Sequence, residues 1–135
     1  MDAYIIDVLC FCWAFQVKHF LCDYVLQGKY MLGKFKPYPE YILPLVAHSA
    51  VQAGGTFLLA LLFHLMFHLT LTKVVFLVTA TDFVTHFIID RIKASPKLLG
   101  RFKPDQPYFW WALGWDQMCH HLVNIILVGF LFFWR

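Results

Sequence analysis

The stretch AYIIDVLCFCWAFQVKHFLCDYVLQ, residues 3–27, decides the fold. It is mostly apolar, and a helix needs about 20 such residues to cross the hydrocarbon core of a bilayer. It opens with Asp7, after Asp2, where a cleavable signal would carry a basic head, so the segment is expected to stay in the chain. Three more stretches have the same character: about Tyr41 to His64, Leu71 to Ile92 and Tyr108 to Phe133. Gly54 and Gly55 in the second allow close packing or a kink. The expected fold is a single all-α domain, an integral membrane four-helix bundle with short loops.

Composition supports a lipid solvent. Of the 135 residues, 61% are hydrophobic and 14% charged, against about 25% charged in a soluble domain. A water-exposed fold of this composition would show large apolar patches. A net charge of +3 is too weak to imply nucleic-acid binding. Cys10, Cys12, Cys22 and Cys119 lie in apolar runs without C-x-x-C spacing, so they read as small buried side chains.

The loops differ in charge. Loop one, residues 28–40, holds Lys29, Lys34 and Lys36. Loop three, residues 91–107, holds Arg91, Lys93, Lys97, Arg101 and Lys103. Loop two is a tight turn near Phe67 to Lys73. In a four-span chain loops one and three share a side, and the positive-inside rule places them in the cytoplasm with both termini outside.

Ionisable residues inside spans are costly and point to function. Here they form stripes one turn apart: His19, Asp23 and Gln27; His48 and Gln52; Asp82, His86, Asp90 and Lys93; Asp116, His120 and Asn124. Helices one and three end, and two and four begin, near these residues. Each lies roughly 4 to 12 residues from its helix end, about 6 to 18 Å at 1.5 Å per residue. Four helices therefore deliver His and Asp to one layer. His19, Asp23, His48, His86, Asp90, Asp116 and His120 are candidate ligands for Zn, Mn or Fe, with one or two ions. Asp90 and Asp116 are candidate general bases. Gln27, Gln117 and Asp82 are candidates for orienting the ligands. Lys34, Lys93 and Arg91, at the mouth of the layer, are candidates for holding a phosphate or other anionic headgroup, or for contacting anionic lipid. The same His/Asp pairs would also serve as struts between helices or as a metal-free proton relay.

Other polar residues read differently. His64 and His68 lie at the opposite end and are expected at the interface. His121 is about 100° round the helix from His120 and faces elsewhere. Trp110, Trp111 and Trp115 read as an interfacial aromatic belt. Lys18 is expected to snorkel or to pair with a carboxylate.

The ordered set His19-x-x-x-Asp23-x-x-x-Gln27, Lys34, His48, His86-x-x-x-Asp90-x-x-Lys93 and Asp116-Gln117-x-x-His120 resembles domain-of-unknown-function family 3307, small bacterial and phage membrane proteins. The likeness runs from about Phe11 to Val123. It implies a bacterial inner-membrane location and marks these positions, without a carried-over activity. In the style of its His and Asp motifs the chain is also distantly similar to membrane-bound metal-dependent hydrolases. The leading expectation is a metal-dependent hydrolase of a lipid-linked or phosphorylated substrate at the cytoplasmic leaflet. The alternative is a non-enzymatic membrane module, an interaction or envelope-modulating protein of bacterial or phage origin, alone, as a homo-oligomer or with a partner membrane protein. An iron oxidase, a transporter and a haem protein fit less well: there are only seven histidines, the chain is small, and carboxylates stand beside the candidate His ligands.

Overall fold

A computed structural model describes residues 3–67 and 73–134. Among them the chain is all helical: α1 (Ala3–Phe20), α2 (Ile42–Met66), α3 (Lys73–Ala94) and α4 (Pro107–Phe133). A π-helical turn, Leu21–Val25, continues α1, and two short 3-10 helices, Met31–Phe35 and Leu99–Arg101, lie in loops one and three. The spans expected at 41–64, 71–92 and 108–133 agree to within about two residues where both are described. The tight turn expected near 67–73 falls mostly outside the described residues, as does His68.

The helix ends follow local chemistry. Pro107 sits at the first position of α4, where its missing N–H costs nothing, behind an extended Gln106. Pro44 stands in the first turn of α2 for the same reason. Ser95 precedes Pro96, which disfavours helical backbone, and α3 stops at Ala94. α1 differs from the expected 3–27: regular helix ends at Phe20, and Gln27 lies past the π turn. α2 runs unbroken through Gly54 and Gly55, and of the two only Gly55 serves close packing, against the stem of Lys18, while Gly54 faces open space.

The bundle is inside-out relative to a soluble domain. Its exposed surface carries Trp13, Leu43, Leu58, Leu65, Phe76 and Phe133, the last 80% exposed. Its interior holds His48, Gln52 and Asp116 at 0% exposure. α1 with its π turn, α2 and α4 are long and apolar enough to cross a membrane. α3 is more polar, but Asp82, His86 and Asp90 are buried, while Phe76, Leu77, Val84 and Ile88 face outward. The chain is an all-α membrane bundle.

Neighbours pack as α1–α2, α2–α3, α3–α4 and α4–α1. One half of the interior is apolar: Phe11, Phe15, Phe63, Val75, Leu127, Leu131 and Phe132 form one cluster. Phe63 meets Phe11 edge-on at 5.1 Å and Phe132 at 4.9 Å between ring centroids. His64 lies in this half, in the last turn of α2, and is buried: its Nδ1 is 3.0 Å from the carbonyl of Ala60 and its ring stands against Phe63. Of the four free cysteines only Cys22 is buried, and Cys10 is exposed, because the outer faces of these helices accept apolar side chains as readily as the core. The other half of the interior is polar.

Candidate metal centre

The polar half gathers side chains from all four α-helices, the π turn and the 3-10 helix of loop one. α1 brings His19, and the π turn brings Asp23. The turn is closed by the Leu26 N–H donating to the Leu21 carbonyl at 2.8 Å, a one-residue widening of the helix. α2 brings His48 and Gln52, α3 brings His86, Asp90 and Lys93, and α4 brings Asp116, Gln117 and His120. The 3-10 helix of loop one adds Lys34, which is buried. All seven candidate ligands are buried.

Two groups stand out. In the first, His48 Nε2 and His86 Nε2 are 3.1 Å apart. Asp23 Oδ1 lies 3.2 Å from His48 Nε2 and 3.4 Å from His86 Nε2. Asp90 Oδ2 is 3.1 Å from His48 Nε2 and 3.7 Å from His86 Nε2. A tetrahedral ion with bonds of about 2.0–2.1 Å sets its ligands roughly 3.3 Å apart, so these separations suit one. In the second group, His120 Nε2 lies 3.4 Å from Asp90 Oδ1 and 3.5 Å from Asp116 Oδ1. None of these three atoms has a hydrogen-bond partner among the described residues, although each is buried. Polar atoms buried without partners are costly. Three of them converge here in a donor set that suits a divalent cation. Asp90 belongs to both groups, one oxygen to each.

His19 is placed differently. Its Nε2 is 3.3 Å from Gln117 Oε1 and its Nδ1 is 3.4 Å from Gln52 Nε2, so both ring nitrogens face amides. It still lies close enough to His86 and His120 to share an ion with them. Gln117 also donates to Asp116 Oδ2 at 2.9 Å. Gln27 lies at the rim, its Oε1 buried without a partner among the described residues.

The candidate anion-holding residues are engaged inside the protein. Lys34 Nζ is 2.6 Å from Asp90 Oδ2, and Lys93 Nζ is 2.6 Å from Asp116 Oδ2. Lys93 remains partly exposed at 23% of its side chain. Arg91 stacks on Tyr41, 3.6 Å from the ring centroid.

Asp82, expected beside the ligands, belongs to another site. Its Oδ2 accepts from Lys18 Nζ at 3.1 Å and from Thr56 Oγ1 at 2.6 Å, deeper in the bundle. Lys18 is therefore paired and not snorkelled. His121 is exposed and hydrogen-bonded with Gln16, its ring edge-on to that of His19 at 5.4 Å between centroids. Trp110, Trp111 and Trp115 are exposed. Gln52 was underweighted by sequence reasoning: it donates to Asp23 Oδ1 at 2.6 Å. Its place one turn after His48 was the available signal.

No curated protein and no solved structure matches the chain. The likeness to membrane-bound metal-dependent hydrolases thus rests on motif style alone. The sequence profile of the protein family of unknown function DUF3307 matches residues 11–135, nearly the whole chain and the whole polar layer with it, and the chain belongs to that family.

Proposed function

We propose that this chain is a metal-dependent membrane enzyme that hydrolyses a lipid-linked or phosphorylated substrate. The observation that carries the reading is the convergence of Asp90 Oδ1, Asp116 Oδ1 and His120 Nε2, three buried atoms that face one another at 3.4 and 3.5 Å and have no hydrogen-bond partner among the described residues. The Asp23/His48/His86 group beside it would hold a second ion, and Asp90 places one carboxylate oxygen toward each group. Zn, Mn or Fe fits these donors and would supply an activated water for attack on an ester. A carboxylate oxygen of Asp90 or Asp116 would accept the proton from that water. Lys93, paired with Asp116 yet partly exposed, would meet the substrate's negative charge. The eight Lys and Arg of loops one and three favour a cytoplasmic position for that side of a bacterial inner membrane, with both termini outside.

The test is elemental analysis of the purified full chain, with release of phosphate from phospholipid or lipid phosphate as the activity. About one or two ions per chain are expected, falling in the His120→Gln and Asp90→Asn variants together with activity. Protein without stoichiometric metal, or a His86→Ala variant that keeps full activity, would end this reading.

A second reading has its own support. Asp90 and Asp116 each hold a lysine at 2.6 Å, so Lys34 and Lys93 offset two of the three carboxylates in the layer. Such a network would lock the helices of a non-enzymatic module without an ion. It requires that chelator-treated protein keep the thermal stability of the untreated protein, whereas loaded metal would raise it.

A further inference from the structure

Beside the polar layer, between the end of α3, loop three and the start of α4, lies a cleft of about 540 Å³. That is within the roughly 300–1,000 Å³ range of small-molecule sites. Trp111, Ala112 and Trp115 line it on α4, and Lys97 and Arg101 line it on loop three. The loop wall is a built feature. The Leu98 and Gly100 N–H groups both donate to the Ser95 carbonyl, at 2.9 and 3.0 Å, folding the chain back over the end of α3. A Cβ on Gly100 would stand 2.6 Å from the Ala94 carbonyl oxygen, a backbone atom, so only glycine fits this approach.

The charges of the cleft differ from those inside the layer. Lys18, Lys34 and Lys93 all hold carboxylates. Lys97 and Arg101 are exposed and have no carboxylate partner among the described residues. Two cations without a carboxylate, Arg101 resting 4.9 Å from the Phe102 ring centroid, stand beside an apolar, tryptophan-lined cleft and complement an amphipathic anion. The cleft also adjoins the candidate centre: Ala112 is one turn before Asp116 on the same face, and Ile92, another lining residue, directly precedes Lys93.

We infer that this cleft binds an anionic phospholipid, its phosphate at Lys97 and Arg101 and its acyl region along Trp111, Ala112 and Trp115. The binding stands on the cleft alone. Delivery of that lipid's phosphoester to the layer rests on the proposed hydrolase.

The test uses the full chain with Trp13, Trp110 and Trp134 replaced by Phe, in phosphatidylcholine nanodiscs. Phospholipids with brominated chains quench Trp111 and Trp115 on contact. Two cations near the surface, at about 1 kcal/mol each, predict half-maximal quenching at a roughly thirtyfold lower fraction of brominated phosphatidylglycerol than of brominated phosphatidylcholine. Lys97→Gln with Arg101→Gln should remove that difference while the circular dichroism spectrum stays unchanged. Equal quenching by both lipids in the unmodified cleft would overturn the inference, and reversal by inorganic phosphate alone would reduce the site to an anion site and overturn the lipid assignment. The measurement is made on chelator-treated protein, and metal content is read separately on the same variants. Failure of the metal centre would leave the lipid preference in place, and failure of the cleft would leave the metal in place.

Discussion

Lys18 is the residue whose environment is most exacting. It is a charged side chain inside a span, buried on α1, and its Nζ reaches Thr56 Oγ1 at 3.0 Å and Asp82 Oδ2 at 3.1 Å. Removing one member of a buried ion pair typically costs about 3–5 kcal/mol, while replacing both by apolar groups can be neutral. Lys18→Met is therefore expected to lower the unfolding midpoint sharply in detergent, and Lys18→Met with Asp82→Leu to recover most of the loss. Additive losses in that double-mutant cycle would refute the coupling. Gly55 makes room for the pair: a Cβ there would stand 2.8 Å from Cγ and Cδ of Lys18, so Gly55→Val should displace the lysine stem. The sequence offered a carboxylate partner for Lys18 but not which one. Asp82, His86 and Asp90 form one stripe on α3, with Asp82 about one turn deeper than His86, and the stripe alone does not show which of the three Lys18 meets. The partner emerges only when α1 is set beside α3, because Lys18 is turned about 100° from His19. The sequence placed Lys34 at the mouth of the layer, but its pairing with Asp90 was illegible for a related reason. It sits in a loop whose path no periodicity reports, and the 3-10 helix Met31–Phe35 carries it inward to Asp90.

At the scale of elements, the spans were legible because apolar runs of this length have few other uses. Their polar stripes were legible because a period near 3.6 puts successive residues on one face. The π turn was not: nothing in LCDYV marks a widened helix, and tertiary packing decides it. Its effect is local to Asp23, which takes Gln52 and His48 as partners within the widened turn. Deleting Leu21 should let the segment close as regular α-helix and rotate Asp23 by about 100° relative to α1. Metal content should fall while the helical circular dichroism signal is kept. Unchanged metal content would show that Asp23 is not a ligand. The apolar end predicts a different outcome. Phe63 is fully buried among Phe11, Phe67 and Phe132. Phe63→Ala should cost roughly 3–5 kcal/mol by cavity formation and leave metal content per folded chain unaltered, since the aromatic cluster occupies the other half of the interior. Urea titration with elemental analysis of the folded fraction would check both.

At the scale of the whole molecule, the bundle has one apolar half, one polar half and an apolar exterior. That division was readable from depth alone, since alternating helix directions bring an end, a start, an end and a start to one level. The proposed orientation rests on loop charge and is testable. In a cysteine-free background, Asp2→Cys and Lys97→Cys should react with an impermeant thiol reagent from opposite faces of sealed vesicles, Lys97→Cys from the inner face. Labelling of both from one face would overturn the arrangement.

The 2.6 Å contact between Lys34 and Asp90 Oδ2 has a consequence for loop one as a whole. That oxygen also faces His48 and His86, so a cation drawn to the three would compete with the lysine ammonium for it. Charge repulsion favours one occupant over both, and by reciprocity whatever weakens the lysine's hold tightens the ion's. Loop one would then behave as a latch whose release reports loading. Added Zn or Mn should speed tryptic cleavage at Lys29, and Lys34→Met should both bind the ion more tightly and be cut quickly there without it. Cleavage rates indifferent to metal in both proteins would show that the latch and the centre work independently.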